Sequence, residues 1–398
     1  MIQTPRLLAA PGPGLAEHLD YFGALPDTTR ELIALVDASG LAGRGGAGFP
    51  TGRKMAAVTG TKTVVVGNGA EGEPLSRKDA TLLRQAPHLV LDGLDAAAAA
   101  IGADTVYLYI HPDAATAVAD ALAERRAAGL DAHRVTVVQA PDRFVAGEES
   151  AAIRHIEGGP ALPTDRTVVS AVSGVRGRPT LVNNVETLAN IALIARYGAE
   201  WFRSAGDPDE PGTMLVTLSG ALAHGVVEIP TGLPLTGLIE WAGADPHALQ
   251  SVLIGGYHGT WLAANEFGAA RLSRAALKPL GATPGAGIVH GLDRSECGLR
   301  RTAEIAGYLA DQSARQCGPC LNGLPRLASL LEELAFGRAS DDLVRELRRM
   351  VRLVDGRGSC RHPDGTARMV RSALHTFGAD VDLHRRRSCS AAEPRPVG

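Results

Sequence analysis

Short apolar runs alternate with longer amphipathic stretches in the first half of the chain. Apolar runs at 63–69, 105–111 and 134–140 predict buried strands. A helical pattern over 114–128 separates the second run from the third, and the Ala-rich stretch 94–101 also has the pattern of a helix. Strand, helix and strand joined by short links favour a parallel sheet, so this region is predicted to be an α/β domain.

The pattern changes after residue 203. Residues 204–212 are rich in Pro, Gly and acidic side chains, which is typical of a domain boundary. The next segments, which predict strands and one helix, are 213–220, 225–230, 235–242 and 251–256. This order indicates a small α+β domain.

From residue 295 onward the pattern is helical. Apolar residues recur at steps of three and four, which predicts amphipathic helices packed as a bundle. The four segments are 298–312, 321–335, 340–354 and 366–377. The basic, proline-containing end of the chain predicts a disordered tail. The predicted boundaries are 1–210, 211–295 and 296–380 for three domains, and 381–398 for the tail.

Composition excludes several classes of function. A chain of 398 residues exceeds one compact core, and 45% hydrophobic with 21% charged residues is ordinary for a globular protein. The net charge of −3 provides no basic field for nucleic acid. No signal peptide and no apolar run long enough to span a bilayer are evident, so we expect a cytoplasmic protein. In that compartment, clustered cysteines favour metal or redox chemistry over disulfides.

Polar residues and glycines occur together in four stretches of the α/β region. The loop 43–54, "GRGGAGFPTGRK", lets backbone N–H groups approach a ligand, and Lys54 offers a point charge for phosphate. It is neither a P-loop nor the strand–GxGxxG–helix of a nicotinamide site, and alone it equally fits a surface turn. The other three stretches contribute Asn68, Glu71, Glu73, Gly147, Glu148, Glu149, Asn183 and Asn184. Amides, carboxylates and backbone N–H groups together suit flavin mononucleotide (FMN), although Asn183 could also cap a helix.

A second candidate site contains cysteines. Cys317-Gly-Pro-Cys320 is a CxxC motif, and Cys360 follows it by forty residues. A thioredoxin-like dithiol would sit after a strand, whereas this motif follows the predicted helix 298–312. A zinc site would need a fourth ligand, for which His362 is a candidate. An iron–sulfur cluster is the third interpretation.

These strings together resemble the NADH-binding flavoprotein subunit of respiratory complex I and the related diaphorase subunits of NAD-linked hydrogenases and formate dehydrogenases. The motifs are "GRGGAGFPTGRK", "NGAEGEP", "AGEES", "GRPTLVNNVETL" and the later cysteines, colinear from about residue 41 to 377. The resemblance implies a Rossmann-like FMN domain, a ubiquitin-like α+β domain and a C-terminal four-helix bundle. It also implies hydride transfer from NAD(P)H to FMN, single electrons passed to a [4Fe–4S] cluster, and an iron–sulfur protein partner.

The resemblance assigns roles to individual residues. The implied FMN-lining residues are Gly43, Gly45, Lys54, Asn68, Gly147, Glu148, Glu149, Asn183, Asn184 and Thr187. Phe49, Glu73 and Glu149 are implied to face NADH, with Arg166 near the nucleotide in place of a family lysine. The implied cluster ligands are Cys317, Cys320 and Cys360.

Four positions depart from the family pattern. Ala57 and Val169 replace aromatic residues that sandwich the dinucleotide, at a cost of roughly 1–3 kcal/mol per ring. Ala70 replaces an acidic residue, and Ala314 replaces the first cluster cysteine. With three thiolates, the alternatives are a [3Fe–4S] centre, no cluster, or a [4Fe–4S] cluster with another fourth ligand. The candidates for that ligand are Ser313, Asp311, His362 and hydroxide.

The leading hypothesis is therefore an FMN-containing subunit that takes a hydride from NAD(P)H and releases electrons through an iron–sulfur centre. The second hypothesis is a complex subunit that keeps the fold, and perhaps FMN, but has lost NADH oxidation. A thiol–disulfide enzyme using Cys317 and Cys320 is the third.

Overall fold

The computed structural model describes residues 5–130, 132–165, 168–336 and 339–392. The chain forms two compact units. The first comprises Met1–Thr217 and Val226–Leu233, and the second comprises Leu218–Gly225 and Pro234–Gly398. The fold is mixed α/β, as the sequence predicts, and the finer division into three domains stays a prediction.

A parallel sheet forms the centre of the first unit. Its strands are β1 (Thr63–Gly69), β2 (Ala103–Ile110), β3 (Val135–Gln139) and β4 (Thr180–Asn184), in the order β3-β2-β1-β4. All three pairings are parallel. The predicted strands 63–69, 105–111 and 134–140 correspond to β1–β3 within two residues, whereas the apolar pattern does not predict β4.

Both faces of this sheet are buried. Val65 and Leu181 point into one apolar cluster, while Val64, Val66 and Val182 belong to another on the opposite side. Burial on two faces explains why the strands are continuous apolar runs rather than alternating ones. The helices of this unit are α1 (Leu15–Phe22), α2 (Glu31–Ser39), α3 (Thr51–Ala56), α4 (Lys78–Gln85), α5 (Pro87–Ile101), α6 (Ala115–Ala128), α7 (Glu149–Ile156) and α8 (Val185–Arg203).

A buried ion network joins four of these helices. Asp92 of α5 lies 2.8 Å from His18 Nε2 of α1 and 2.6 Å from Arg125 Nη1 of α6, and it also accepts from Arg196 of α8. Arg125 contacts Asp95 at 3.0 Å. Burial opposes ionisation of Asp92, but the His18 hydrogen bond and the two arginine charges outweigh it and lower the pKa of this carboxyl.

Strands β5 (Thr213–Gly220) and β6 (Gly225–Pro230) follow α8, and the division between the two units falls within β5. In the second unit, β7 (Leu249–Ile254) pairs antiparallel with both β8 (Thr260–Ala263) and β9 (Ile288–Asp293). The helices after β6 are α9 (Leu235–Trp241), α10 (Arg274–Leu277), α11 (Gly298–Asp311), α12 (Leu324–Ala335), α13 (Asp341–Val354), α14 (His362–Thr376) and α15 (Gly378–Arg385).

The four helices predicted after residue 295 are present as α11–α14. Helix α13 begins where expected because Ser340 caps it, accepting a hydrogen bond from Leu343 N at 3.2 Å. Helix α12 begins later than predicted, since a π-helical turn at Pro319–Gly323 precedes it. Helix α14 begins four residues earlier than predicted, at His362.

The predicted disordered tail from 381 is wrong for the part that the structure describes. Helix α15 continues to Arg385, and Val381 and His384 are buried. Cys389 beyond it is buried as well. Packing of these side chains orders a segment whose basic composition alone suggests a tail. Residues 393–398 lie outside the described residues.

Within the described part of the chain, we find no helix with the length and apolar character needed to cross a bilayer.

Candidate functional site

The glycine-rich loop forms a closed turn just before α3. An isolated antiparallel bridge between Ala42 and Pro50 closes it, and Gly43 N donates to Phe49 O at 2.9 Å. Gly46 and Gly48 have φ of 102° and 66°, which is the left-handed region that favours glycine. The loop therefore needs glycine at these positions for its own conformation.

The loop packs against the junction of β4 and α8. Arg44 N donates to Thr187 Oγ1 at 2.9 Å. A Cβ atom on Gly45 would lie 3.2 Å from the Cβ of Asn184, so the backbone approaches this junction closely. Three predicted site residues, Gly45, Asn184 and Thr187, are thus brought together although nearly 140 residues separate the loop from the junction in sequence.

Asn184 holds the edge of the sheet together. Its side-chain oxygen accepts from Glu186 N at 3.0 Å, which caps α8, and from Lys78 Nζ at 3.2 Å. Its Nδ2 donates to Asp79 Oδ2 at 2.7 Å and to Asn68 O at 3.1 Å. Because every polar atom of this amide is engaged by protein, Asn184 supports the site rather than offering free groups to a ligand.

A third loop meets the end of β1. Asn68 Nδ2 donates to Gly147 O at 2.9 Å, and Asn68 Oδ1 accepts from Ala70 N at 3.2 Å. A Cβ atom on Gly147 would come within 2.6 Å of Ala70 O, so no larger residue fits without a shift of backbone. The loops after β1 and before α7 are in direct contact.

The two glutamates after Gly147 have different roles. Glu148 caps α7 by accepting from Ser150 N at 2.8 Å and Ala151 N at 3.1 Å. Glu149 Oε2 accepts from Lys54 Nζ at 3.1 Å. The sequence predicts Lys54 as a point charge for phosphate, but the structure gives it a carboxylate partner instead. Its charge balances Glu149.

Lys54 also donates to the backbone oxygen of Val182 at 2.5 Å. This bond fixes the ammonium against β4 near the carboxyl end of the sheet.

A buried charge cluster behind the site lies outside the residues that the sequence singles out. Lys78 Nζ lies 2.6 Å from Asp79 Oδ1 and 2.9 Å from Glu186 Oε2, and all three side chains are nearly inaccessible. Burial lowers the pKa of Lys78, but the surrounding carboxylates outweigh it and raise that pKa, so the lysine stays charged. The sequence carries one signal for it, since lysine is rare in this chain.

Burial also raises the pKa of Asp79, against the attraction of Lys78. Glu71, in the loop after β1, binds the start of α4 by accepting from Asp79 N at 3.0 Å and Ala80 N at 3.1 Å. The cluster therefore ties the β1 loop, α4 and the start of α8 into one support.

Asn183 is the predicted residue with an unused polar group. It pairs with Gly67 in the β1–β4 register and is 5% exposed. Its buried Nδ2 has no hydrogen-bond partner in the ranges that the structure describes, and an unpaired buried donor costs about 1–3 kcal/mol. The helix cap expected at Asn183 is at Asn184 instead. A polar ligand group would satisfy this donor, and the glycine backbone nearby leaves room for close approach.

The residues predicted to face a nicotinamide are more exposed. Phe49 is 55% exposed and Val169 is 65% exposed, and Ala57 is exposed too. Glu73 is half-buried in the loop after β1 and accepts from Leu75 N at 3.3 Å. Arg166 lies outside the described residues.

The three predicted cluster cysteines come together in the second unit. Burial opposes ionisation of Cys317, but hydrogen bonds from the backbone N–H groups of Ser359 and Cys320 outweigh it and lower the pKa of the thiol. Burial, together with the nearby thiols of Cys317 and Cys360, raises the pKa of Cys320 to about 12. Cys320 is 2% exposed, and Arg315 N donates to it from a left-handed backbone with φ of 53°.

The structure separates the candidates for a fourth ligand. His362 Nε2 lies 2.7 Å from Leu309 O, and its Nδ1 lies 3.1 Å from His258 Nε2, so neither ring nitrogen is free for a metal. The zinc site completed by His362 is therefore wrong. Asp311 is exposed. Ser313 is 3% exposed, and its Oγ has no partner within the described ranges.

The fold and the two sites define a class of protein: an oxidoreductase subunit that holds a flavin and an iron–sulfur cluster. Residues 36–193 match the family described as the Nuo51 FMN-binding domain. Residues 300–384 match the NADH-ubiquinone oxidoreductase-F iron-sulfur binding region.

Relatives and solved structures agree with these matches. The chain is 31% identical over 376 residues to the second F subunit of the NADH-quinone oxidoreductase of Rhizobium meliloti (strain 1021), covering 90% of this chain and 89% of that protein. It is 30% identical to the NADP-reducing hydrogenase subunit HndC of Solidesulfovibrio fructosivorans, over 90% of this chain and 76% of that one. A crystal structure of NAD+-reducing [NiFe]-hydrogenase in the H2-reduced state matches with a TM-score of 0.82 at 30% identity, covering 89% of this chain and 62% of the hydrogenase chain.

The chain belongs to the family of NADH-quinone oxidoreductase F subunits. This confirms the resemblance inferred from the glycine loops and cysteines.

Proposed function

We propose that this chain is an electron-transfer flavoprotein subunit that oxidises NADH through FMN and passes electrons to an iron–sulfur cluster. The observation that carries the proposal is the carboxyl edge of β1 and β4. There, glycine-containing loops meet two buried amides, and Asn183 keeps an unpaired donor. Ligands of parallel α/β sheets bind at this edge.

The residues fit FMN in a divided manner. Asn183 would donate to a polar edge of the flavin, and the backbone N–H groups of the loop from Gly43 would approach its phosphate chain. Asn184 and Lys78 hold that edge rigid. When bound, FMN supplies the conversion of a two-electron hydride transfer into single-electron steps.

Lys54 and Glu149 would set the charge beside the flavin. Their ion pair has no net charge, and each side chain is only about a quarter exposed. Such a pair orients Glu149 and keeps it ionised, so its remaining lone pairs can accept hydrogen bonds from ribose or carboxamide. Phe49 would offer an exposed ring on which a nicotinamide or adenine can stack.

Cys317, Cys320 and Cys360 would supply three thiolates to the cluster. Because Ser313 places a buried, unpartnered hydroxyl next to the position of the missing cysteine within the described ranges, we propose Ser313 as the fourth ligand of a [4Fe–4S] cluster. With serine removed, three thiolates suffice for a [3Fe–4S] centre. Replacing Ser313 by Ala should therefore change the electron paramagnetic resonance signal from the first type to the second.

The finer architecture is part of the same proposal. Residues 1–210 would form the Rossmann-like FMN domain, 211–295 the ubiquitin-like domain and 296–380 the four-helix bundle. An iron–sulfur protein partner in the cytoplasm would receive the electrons. The relatives' names describe subunits of larger redox assemblies, which supports a partner of this kind.

Turnover of NADH with ferricyanide tests the proposal. Protein that contains flavin and reduces ferricyanide with NADH supports an active dehydrogenase subunit. The second candidate, a flavin-holding subunit without NADH oxidation, is favoured by exposed Val169 and Ala57 where the family has aromatic rings. Flavin-containing protein that ignores both NADH and NADPH, but is reduced by dithionite, would select that candidate.

A further inference from the structure

A second group of metal-ligating side chains lies apart from the three cluster cysteines in sequence. Cys297, His384 and Cys389 place their ligand atoms within 4.8 Å of one another. All three are buried, at 8%, 3% and 8% exposure. Neither the flavin nor the iron–sulfur proposal uses them, and no sequence motif joins His384 to the two cysteines.

The spacing matches tetrahedral zinc. Cys297 Sγ lies 3.5 Å from His384 Nε2. With Zn–S of about 2.3 Å and Zn–N of about 2.05 Å, two tetrahedral ligands are about 3.5 Å apart. A sulfur and a nitrogen at this distance need almost no rearrangement to share one cation.

His384 is oriented for metal binding. Its Nδ1 lies 3.0 Å from the carbonyl oxygen of Leu334, the residue before the last of α12. A carbonyl only accepts, so Nδ1 carries the proton and Nε2 presents its lone pair toward Cys297. Metal-bound histidines are held in this way by a second hydrogen bond.

Local backbone structure brings the two cysteines to this histidine. Cys297 is the N-cap of α11, and backbone N–H groups of Leu299 and Arg300 hydrogen-bond to its sulfur. After α15, the chain turns back because Arg387 takes a left-handed φ of 59° and Ser388 N donates to Leu383 O at 3.0 Å. Cys389 then follows directly.

We propose that Cys297, His384 and Cys389 bind one Zn2+ that links the end of α15 to the start of α11. Two thiolates and one imidazole are ligands that zinc prefers, whereas Mg2+ and Ca2+ prefer sets of oxygen ligands. The fourth position belongs to water or to Ser390, whose buried Oγ has no partner in the described ranges.

The proposed site is structural. Its three ligands come from the start of α11, from α15 and from the segment after α15, so the cation closes a loop of about ninety residues around the cysteine-containing turn. Metal binding of this kind contributes directly to folding free energy. This role is independent of the flavin and of Cys317, Cys320 and Cys360.

Zinc K-edge X-ray absorption on the full chain, purified anaerobically with its flavin and cluster and dialysed against EDTA, tests the proposal. Absorption at this edge reports zinc alone. We expect one zinc per chain with two sulfur ligands near about 2.3 Å and two nitrogen or oxygen ligands near about 2.0 Å. A chain without retained zinc, or a Cys297–Cys389 disulfide found by peptide mapping of the same anaerobic sample, overturns it.

Variants separate this site from the cluster. Cys389→Ser and His384→Gln should lose the zinc and keep the flavin, while Cys360→Ser should keep the zinc. His375→Gln, in the last turn of α14, is the matched histidine control and should retain it. Zinc lost from Cys360→Ser but retained by Cys389→Ser would also overturn the proposal. If a variant fails to fold, the ligand set measured on the unmodified chain decides.

Discussion

Replacing Lys78 by Met should strongly destabilise the first unit and empty the flavin site. The lysine is 2% exposed and lies between two buried carboxylates, Asp79 at 2.6 Å and Glu186 at 2.9 Å. Met conserves length and volume but removes the charge. The two carboxylates then remain buried without their cation, and Asn184 loses one of its hydrogen bonds.

The magnitude follows from the burial of all three side chains. Breaking a buried ion pair by removing one partner costs about 3–5 kcal/mol. For a unit of about 150–250 residues, each kcal/mol lowers Tm by about 2–4 °C, so the Tm should fall by about 6–20 °C. A surface pair would cost less than about 1 kcal/mol, which distinguishes a supporting cluster from an incidental one.

The assay is thermal unfolding followed by circular dichroism, with flavin content measured on the same samples. Lys278→Met is the matched control, because Lys278 is exposed. Adding Glu186→Gln to Lys78→Met should recover part of the loss, since it removes one uncompensated charge. A Lys78→Met protein with unchanged Tm and full flavin content would refute the supporting role of this cluster.

Three further predictions concern the site and its surroundings. Ala57→Phe together with Val169→Phe should lower the KM for NADH by about five- to a hundredfold per ring, because each aromatic ring restores about 1–3 kcal/mol of stacking, and an unchanged KM would remove these positions from the dinucleotide site. Gly147→Ala should lower flavin content, because its Cβ would lie 2.6 Å from Ala70 O, whereas Gly307→Ala, with no atom within 4 Å, should not. The pKa of Asp92 is lowered in the folded state, so the unfolded chain takes up this proton first and the stability from Asp92 is present above about pH 4 and lost as the pH falls below it. Thermal melts between about pH 7 and pH 3 should show this loss, and Asp92→Asn should show less of it.

Elements whose apolar pattern decides their structure are predictable from the sequence. Strand β1 matches residue for residue because both of its faces are buried. Strand β4 is missed because "TLVNN" is short and ends in two amides, and its strand state depends on pairing with β1. Such tertiary pairing leaves little local pattern in sequence.

The candidate site is predictable as a set of residues but not as a division of labour. Asn183 and Asn184 are adjacent, yet only Asn184 is fully engaged by protein groups in the described ranges. Likewise, the sequence predicts that Lys54 faces phosphate, and in the structure it pairs with Glu149. Contacts between distant residues decide these roles, and residue type alone does not.

Some groups acquire a role only through folding. Lys78 sits in an ordinary helix start, and its importance comes from burial beside Glu186, more than a hundred residues away. Cys297 and Cys389 are distant in sequence, and the turn after α15 places them beside His384.

The most direct test of the central claim is the absorbance spectrum of anaerobically purified protein before and after addition of NADH. The account predicts flavin bands with a broad brown iron–sulfur shoulder, both bleached by NADH. Protein that folds but carries no flavin would contradict it.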